Sequence, residues 1–475
     1  MGDLVELTAA EQRRLIGAKE VSARELLDAH LARVEVLNPA TNAIVALDPD
    51  VGRRRASEVD AAIASGEDPG PLAGLVTAHK DLEETADFPT SYGSPLFGAN
   101  HRPAADGLIA ARMKAAGAVA IGKTNTPEFG AGSHTFNEVY GVTRNPWGLE
   151  RSAGGSSGGA AVALACRMVA TADGSDTGGS LRNPAAWNNV IGLRPTVRVV
   201  PSVGPGNAWM PISAHGPMGR TVDDVALLLR VLGAPDARDP LHRPIDLPPE
   251  LRPPERPLRV AWSHDLGVPV ERTQLDVLAG TRQAMVDLGW DVMDDAPTLA
   301  AASECFRVLR AWNIATGRTA NFHDRIDRFK ATIQDEIRRG NAVSAADVAR
   351  AYAQLAALWE ETVAFFDRGY DLLACPVTQV SPFPVEIEYP TEVAGATMSS
   401  YIDWMAVCWR ISVTGCPTLS LPAGFDVDGL PVGVQLVTRQ GTDVALLRAA
   451  KALEAATWFA ARRPPLVDTL VDGTR

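Results

Sequence analysis

Hydrophobic and polar positions over the first 66 residues follow the helical period. Leu26, Leu27, His30, Leu31 and Val34 recur at the three- and four-residue spacing that lines one face of a helix. Thr8-Ala-Ala-Glu11 and Ser22-Ala-Arg-Glu25 are capping boxes, in which hydroxyl and carboxylate satisfy orphan backbone amides reciprocally. They predict two helices over residues 7–37, with Asn38-Pro39 ending the second. A third helix is expected from about Pro49 to Ser65, stopped by Gly66. Residues 1–66 therefore read as an N-terminal helical arm packed on a main domain.

Beyond residue 66 the pattern alternates. Short apolar runs of strand length occur at Gly74–Lys80, Ala118–Ile121, Leu258–Ser263, Gly289–Met293, Asp371–Pro376, Thr418–Leu421 and Val432–Val437. Helical segments lie between them at Asp106–Ala116, Thr221–Leu232, Glu271–Leu288 and Asp443–Thr457, and Ser303–Phe366 is mostly helical. This order implies an α/β fold with parallel strands and helical crossovers. Residues 67–475 read as a single domain. Its Pro-rich stretch at 234–257 is a surface connection, 196–220 is loop-like, and the helical region of about 300–405 would cover the substrate.

Composition narrows the function. At 475 residues, 46% hydrophobic and 21% charged, the chain can bury a large core. A net charge of −12 and the lack of a basic tract argue against a nucleic-acid partner. No apolar stretch has bilayer-spanning length, and residues 1–14 do not resemble a secretory signal, so a cytoplasmic location and no membrane partner are expected. The five cysteines (Cys166, Cys305, Cys375, Cys408 and Cys416) are scattered and read as reduced core residues. Histidine is sparse and no cluster has ligand spacing, so neither a metal nor a cofactor is expected. Only six lysines occur: Lys19, Lys80, Lys114, Lys123, Lys330 and Lys451. One in an apolar setting therefore stands out.

The candidate chemistry gathers in Arg151–Thr196. Two glycine-flanked serine clusters, GGSSGG at 154–159 and GGS at 178–180, frame Ala-Val-Ala-Leu-Ala, which is packing sequence rather than linker. The clusters are expected to present serines from tight turns on a rigid scaffold. A serine hydroxyl needs a neighbouring base to become a nucleophile. Gly154–Gly158 fits G-x-S-x-G, but residues 145–153 do not read as the preceding strand, and no histidine follows His323. His79, His134 and His215 read as structural or pocket-lining. Lys80, at the carboxyl end of an apolar strand, is the preferred base if burial makes it neutral, with Lys123 as runner-up. GAVAIGKT at 117–124 matches the phosphate-loop pattern and, as a second class of function, would bind a nucleotide. Its four central residues instead want to be strand, and no helix follows directly.

At this point the chain resembles the amidase signature family. The resemblance rests on GGSSGG, on DTGGSLR 24 residues later, and on the upstream strand ending in Lys-Asp. It extends through GKTNTPEFG, TRNPW, GPMGRTVDDVALLL, VTGCPTLSLPAGF and GLPVGVQL. It implies a large twisted mixed β-sheet covered by helices on both faces. It implies an amidohydrolase that cleaves a carboxamide C–N bond with Ser180 as acyl-forming nucleophile, Ser156 as a bridging serine held by a cis peptide bond, and Lys80 as base. The oxyanion amides would be those of Thr177, Gly178, Gly179 and Ser180. Gly130 would line the substrate site, and Ser157, Asp176 and Arg182 would support it. Ala153 departs from the proline common before GGSSGG. The same triad would serve a carbamate, anilide or ester hydrolase, or the amide-cleaving component of a glutamine-dependent amidotransferase. The expected partner is a small-molecule amide, and a homodimer is left open. Phe129, Phe136, Trp209, Met210, Trp312, Tyr401 and Trp404 are candidates to line a pocket for aryl or hydrophobic acyl groups.

Overall fold

The structure, a computed structural model, describes residues 4–203 and 209–473. Both capping boxes form, and the N-terminal helices are Ala9–Gly17 and Ala23–Thr41. The second runs past Pro39, where the sequence predicted a stop, and ends at Asn42 in the left-handed conformation. A proline this close to a helix end removes a donor but leaves the preceding turns intact. The third helix is Pro49–Ser65, closed by Gly66.

Among the described residues, eleven strands form one sheet. From one edge its order is Ile44–Val45, Val119–Thr124, Val76–Lys80, Thr171–Asp176, Ala214–Gly219, Ile191–Arg194, Thr418–Phe425, Pro431–Val437, Leu372–Pro376, Arg259–Trp262 and Asp291–Asp294. Strand Val76–Lys80 pairs in parallel with both its neighbours, and Arg259–Trp262 does the same near the far edge. The strands between run antiparallel. The sheet is thus mixed, as the family resemblance implies, and not the all-parallel sheet that the βαβ order alone suggested. Strands Thr171–Asp176, Ile191–Arg194 and Ala214–Gly219 were not anticipated. The first reads TADGSD and the last AHGPMG, compositions that disfavour strand. Their neighbours on both sides hold them in register. Residues 204–208 of the predicted loop lie outside the described residues.

Side-chain alternation assigns the two faces. In strand Leu372–Pro376, Leu372 and Ala374 join one buried cluster and Leu373 and Cys375 another. The first is closed by helices Val222–Leu232, Arg272–Asp287 and Asp443–Thr457. Helices Ala302–Phe322, Ala345–Asp367 and Ala406–Ser412 close the second. Towards the other edge, Val76, Ala78, Val119 and Ile121 share a core with the helices Ala23–Thr41, Pro49–Ser65 and Gly158–Ala165. All of Gly158–Ala165 is buried, and its small side chains let it lie close on the sheet. No helix of the described residues is long and apolar enough to cross a membrane.

Candidate active site

Lys80 ends a strand whose every residue is buried. Its neighbour His79 points to the opposite face of the sheet. The Lys80 Nζ donates to Ser156 Oγ at 2.7 Å, to Ser157 Oγ at 2.9 Å and to Ser175 Oγ at 3.3 Å. Burial pulls its pKa from 10.5 down to about 7, against the opposing pull of the Asp173 and Asp176 carboxylates. The parallel register Thr77↔Thr171 and Ala78↔Ala172 sets the ends of the two strands side by side. Asp173 then accepts from His79 Nδ1 at 2.8 Å and from the Lys80 amide at 3.3 Å, which fixes the strand end.

Ser156 sits in the turn before helix Gly158–Ala165, and the Gly155–Ser156 peptide bond is cis. Hydroxyls clamp this turn: Ser133 Oγ donates to the Gly155 carbonyl and Thr135 Oγ1 to that of Gly154, each at 2.8 Å. Gly130 faces Ser156. A Cβ on it would lie 3.4 Å from Ser156 Oγ and 2.8 Å from Leu82 Cδ1, and its φ of +71° already favours glycine.

Ser180 follows strand Thr171–Asp176 and is 8% exposed, against 2% for Ser156. Asp176 and Arg182 brace its loop through a bidentate pair, Nε to Oδ2 at 2.9 Å and a second nitrogen to Oδ1 at 2.8 Å. Both side chains are fully buried. Burial alone would raise the Asp176 pKa, but Arg182 holds the carboxyl well below the usual range. Arg182 also donates to the Cys408 carbonyl, Gln435 Oε1 and Ser412 Oγ. Asp176 accepts from the amides of Gly179 at 2.8 Å and Leu181 at 3.1 Å. The Gly179 amide is therefore engaged, whereas those of Thr177, Gly178 and Ser180 meet no acceptor among the described residues. Gly179 has a φ of +122°, and a Cβ on it would stand 2.9 Å from Cys408 Cβ.

Ser156, Ser175, Thr177, Gly178 and Ser180 open together into a cleft of about 600 Å³. Of the aromatic candidates, Phe129, Trp312 and Tyr401 line it. Trp404 stacks on Trp187 in the core, Phe136 packs on His134, Met210 is buried, and Trp209 is 61% exposed. Sequence reasoning missed Ser175, Leu82, Met405, Arg310 and Arg318 in this wall. Ser175 lies in the strand Thr171–Asp176, which the sequence pattern did not reveal, so nothing local marked it.

Lys123, the runner-up base, contacts neither serine loop. It donates to the Glu83 carbonyl and to Thr90 Oγ1 at 2.9 Å. The phosphate-loop match also dissolves, because Val119–Thr124 is a continuous strand. Gly148–Ser152, expected to be irregular, is a strand, so one objection to a Ser-His arrangement falls. That strand forms a hairpin with Arg144–Asn145, bridged by Arg151 to Pro384, outside the large sheet, and Ser156 meets Lys80 rather than a histidine. His79 binds Asp173, and His134 lies between the Val385 carbonyl and Ser152 Oγ. Burial pulls the pKa of His215 down. Among the described residues, no three His, Cys, Asp or Glu side chains gather where they could hold a metal ion.

Comparison with known proteins agrees with this geometry. The amidase family model matches residues 25–447. An acylamidase from Rhodococcus erythropolis is 33% identical over 98% of both chains. A glutamyl-tRNA(Gln) amidotransferase component from Carboxydothermus hydrogenoformans is 34% identical, over 98% of this chain and 100% of its own. A bacterial aryl acylamidase of the amidase signature family superposes with a TM-score of 0.88 at 27% identity, over 96% of this chain and 99% of its own. The lysine–serine arrangement and the matched length lead to one conclusion: this chain belongs to the amidase signature family and is an amidase, a hydrolase of carboxamide C–N bonds.

Proposed function

We propose that Ser180 is the acyl-forming nucleophile, Ser156 the relay and Lys80 the base. The observation that carries this assignment is the buried Lys80 Nζ, 2.7 Å from Ser156 Oγ and pulled down to a pKa of about 7. Such a lysine is half neutral at pH 7 and accepts a proton where an ordinary one cannot. Ser156 passes its proton to Lys80 and receives that of Ser180. The Ser180 oxygen bonds to the amide carbon, and the carbonyl electrons move onto oxygen. The amides of Thr177, Gly178 and Ser180, which meet no acceptor among the described residues, supply donors to that oxyanion, with Gly179 making the turn and Asp176 holding it. When the carbonyl reforms, the C–N bond breaks and the proton returns along the relay to the departing nitrogen. Water, deprotonated by the same route, then hydrolyses the ester on Ser180.

Phe129, Trp312, Tyr401 and Met405 give the cleft an apolar wall suited to an aryl or hydrophobic amide. Amides, anilides, carbamates and esters of such groups, assayed with wild type, Ser180→Ala and Lys80→Ala, test the reading. Ser180→Ala is expected to lose both turnover and the acyl adduct seen by intact-protein mass spectrometry. Full turnover by Ser180→Ala would overturn it.

A further inference from the structure

Helix Ala302–Phe322 forms a wall of the cleft and brings two arginines to it. Their situations differ. The Arg310 guanidinium pairs with Glu336 and the Tyr401 hydroxyl. Burial would lower its pKa, but Tyr401 and Glu336 raise it. The Arg318 guanidinium has no hydrogen bond and no ion pair to any described residue. Its Cζ lies over the Phe129 ring, 3.8 Å from the centroid. A stacked guanidinium is held in place by the ring while its N–H groups, directed outward in the guanidinium plane, remain available. Burial pulls the Arg318 pKa down to about 10, and the charge of Glu128 compensates only in part. The Glu128 carboxylate is itself engaged, by Ser94 Oγ at 2.7 Å and by the Lys330 amide at 2.9 Å.

A half-buried cation with unmade hydrogen bonds, facing the space that the substrate fills, is a receptor waiting for an anion. We propose that Arg318 binds a carboxylate on the substrate, away from the scissile carbonyl, so that the enzyme prefers amides that carry one. The proposal rests on hydrolysis at Ser180. A planar guanidinium meets a carboxylate through two parallel hydrogen bonds. One guanidinium balances one negative charge, and Glu128 nearby disfavours a dianion such as a phosphate monoester. Position agrees with this role. Phe129, which carries the Arg318 guanidinium, directly precedes Gly130, which faces Ser156, and both line the same cleft. The substrate this describes has an apolar body along Trp312 and Met405 and an acid group at Arg318.

Two matched pairs of anilides test the proposal. Succinyl p-nitroanilide and its methyl ester place the carboxylate on the acyl side. N-acetyl-4-aminobenzoate and its methyl ester place it on the amine side. Wild type is expected to favour the carboxylate in at least one pair by about 10- to 100-fold in kcat/KM, the range of a charge-assisted contact. In Arg318→Gln that ratio is expected to fall to about one. In Arg318→Lys, which keeps the charge but loses the fork, it is expected to be intermediate, and this variant serves if Arg318→Gln does not fold. A ratio near one in wild type, or a parallel fall of both members of a pair in the variants, overturns the carboxylate site and leaves the amidase reading standing. If wild type hydrolyses none of the four, there is no carboxylate preference and this proposal falls, while turnover of another amide by wild type and not by Ser180→Ala leaves the serine reading standing.

Discussion

Replacing Lys80 by Met keeps the length and apolar stem of the side chain while removing its nitrogen. Three hydrogen bonds vanish, to Ser156, Ser157 and Ser175, and with them the base proposed for Ser156. A positioned general base contributes about 10²–10⁴ in rate, so Lys80→Met is expected to lower kcat on an anilide by that factor at pH 8. The pH profile carries the sharper test. With the Lys80 pKa near 7, the neutral fraction falls about tenfold per pH unit below that point, and wild-type kcat/KM should fall with it. The variant should lack this limb. The substitution should affect stability in the opposite sense to activity. Folded Lys80 releases its proton near 7 and the unfolded side chain near 10.5, so between these values the unfolded chain binds more protons and wild type gains stability as pH rises. Across the whole window the gain amounts to about 5 kcal/mol. Lys80→Met should therefore melt above wild type at pH 7, and the gap should narrow towards pH 9. A stopped assay with p-nitroaniline readout and calorimetric melting follow both. If Lys80→Met works within tenfold of wild type at pH 8, or keeps the acid limb, Lys80 is not the base. Lys123→Met, which removes the other buried lysine on this sheet, serves as the contrast and should keep the acid limb.

Asp176→Asn leaves Arg182 buried without its counter-charge, which typically costs about 3–5 kcal/mol, so its melting temperature should fall well below that of the double variant Asp176→Asn/Arg182→Met. Equal melting temperatures would show that the pair contributes nothing. Gly179→Ala must fit a Cβ at 2.9 Å from Cys408 Cβ on a backbone with φ of +122°, and should lower kcat at least tenfold by displacing Ser180 and its amides. Unchanged kcat in a folded variant would contradict that loop geometry.

Legibility in the sequence followed how local each determinant is. The capping boxes at Thr8 and Ser22, and the glycine stop at residue 66, are complete within one turn and formed as predicted. The strand carrying Lys80 was visible because five apolar-context residues suffice to define it. Strands Thr171–Asp176 and Ala214–Gly219 were not, since Gly, Asp and Pro are permitted there by pairing on both sides, a property of the neighbours. The site behaves the same way. The serine loops announced themselves by glycine spacing, but their union with Lys80 bridges 76 residues and was readable only through the family motif. Nothing in the chain singles Arg318 out from the other arginines, because what matters is a ring contributed by Phe129 and the absence of a partner among the described residues. The aromatic candidates divided for the same reason: Trp312 and Trp404 look alike in sequence, yet one borders open space and the other is stacked on Trp187.

The site draws on two parts of the molecule that are unequally packed. Lys80, Ser156 and Ser180 hang from two adjoining parallel strands and a wholly buried helix, in a core already close-packed. The opposite wall is a helix whose cleft-facing positions are only partly covered, and at Gly317 an added Cβ would meet nothing within 4 Å. Chemistry and choice of substrate thereby rest on different elements of the fold. A lineage can trade side chains along residues 312–321 and explore new amides while leaving the proposed proton relay on its own elements, so one hydrolytic engine can be refitted for many feedstocks.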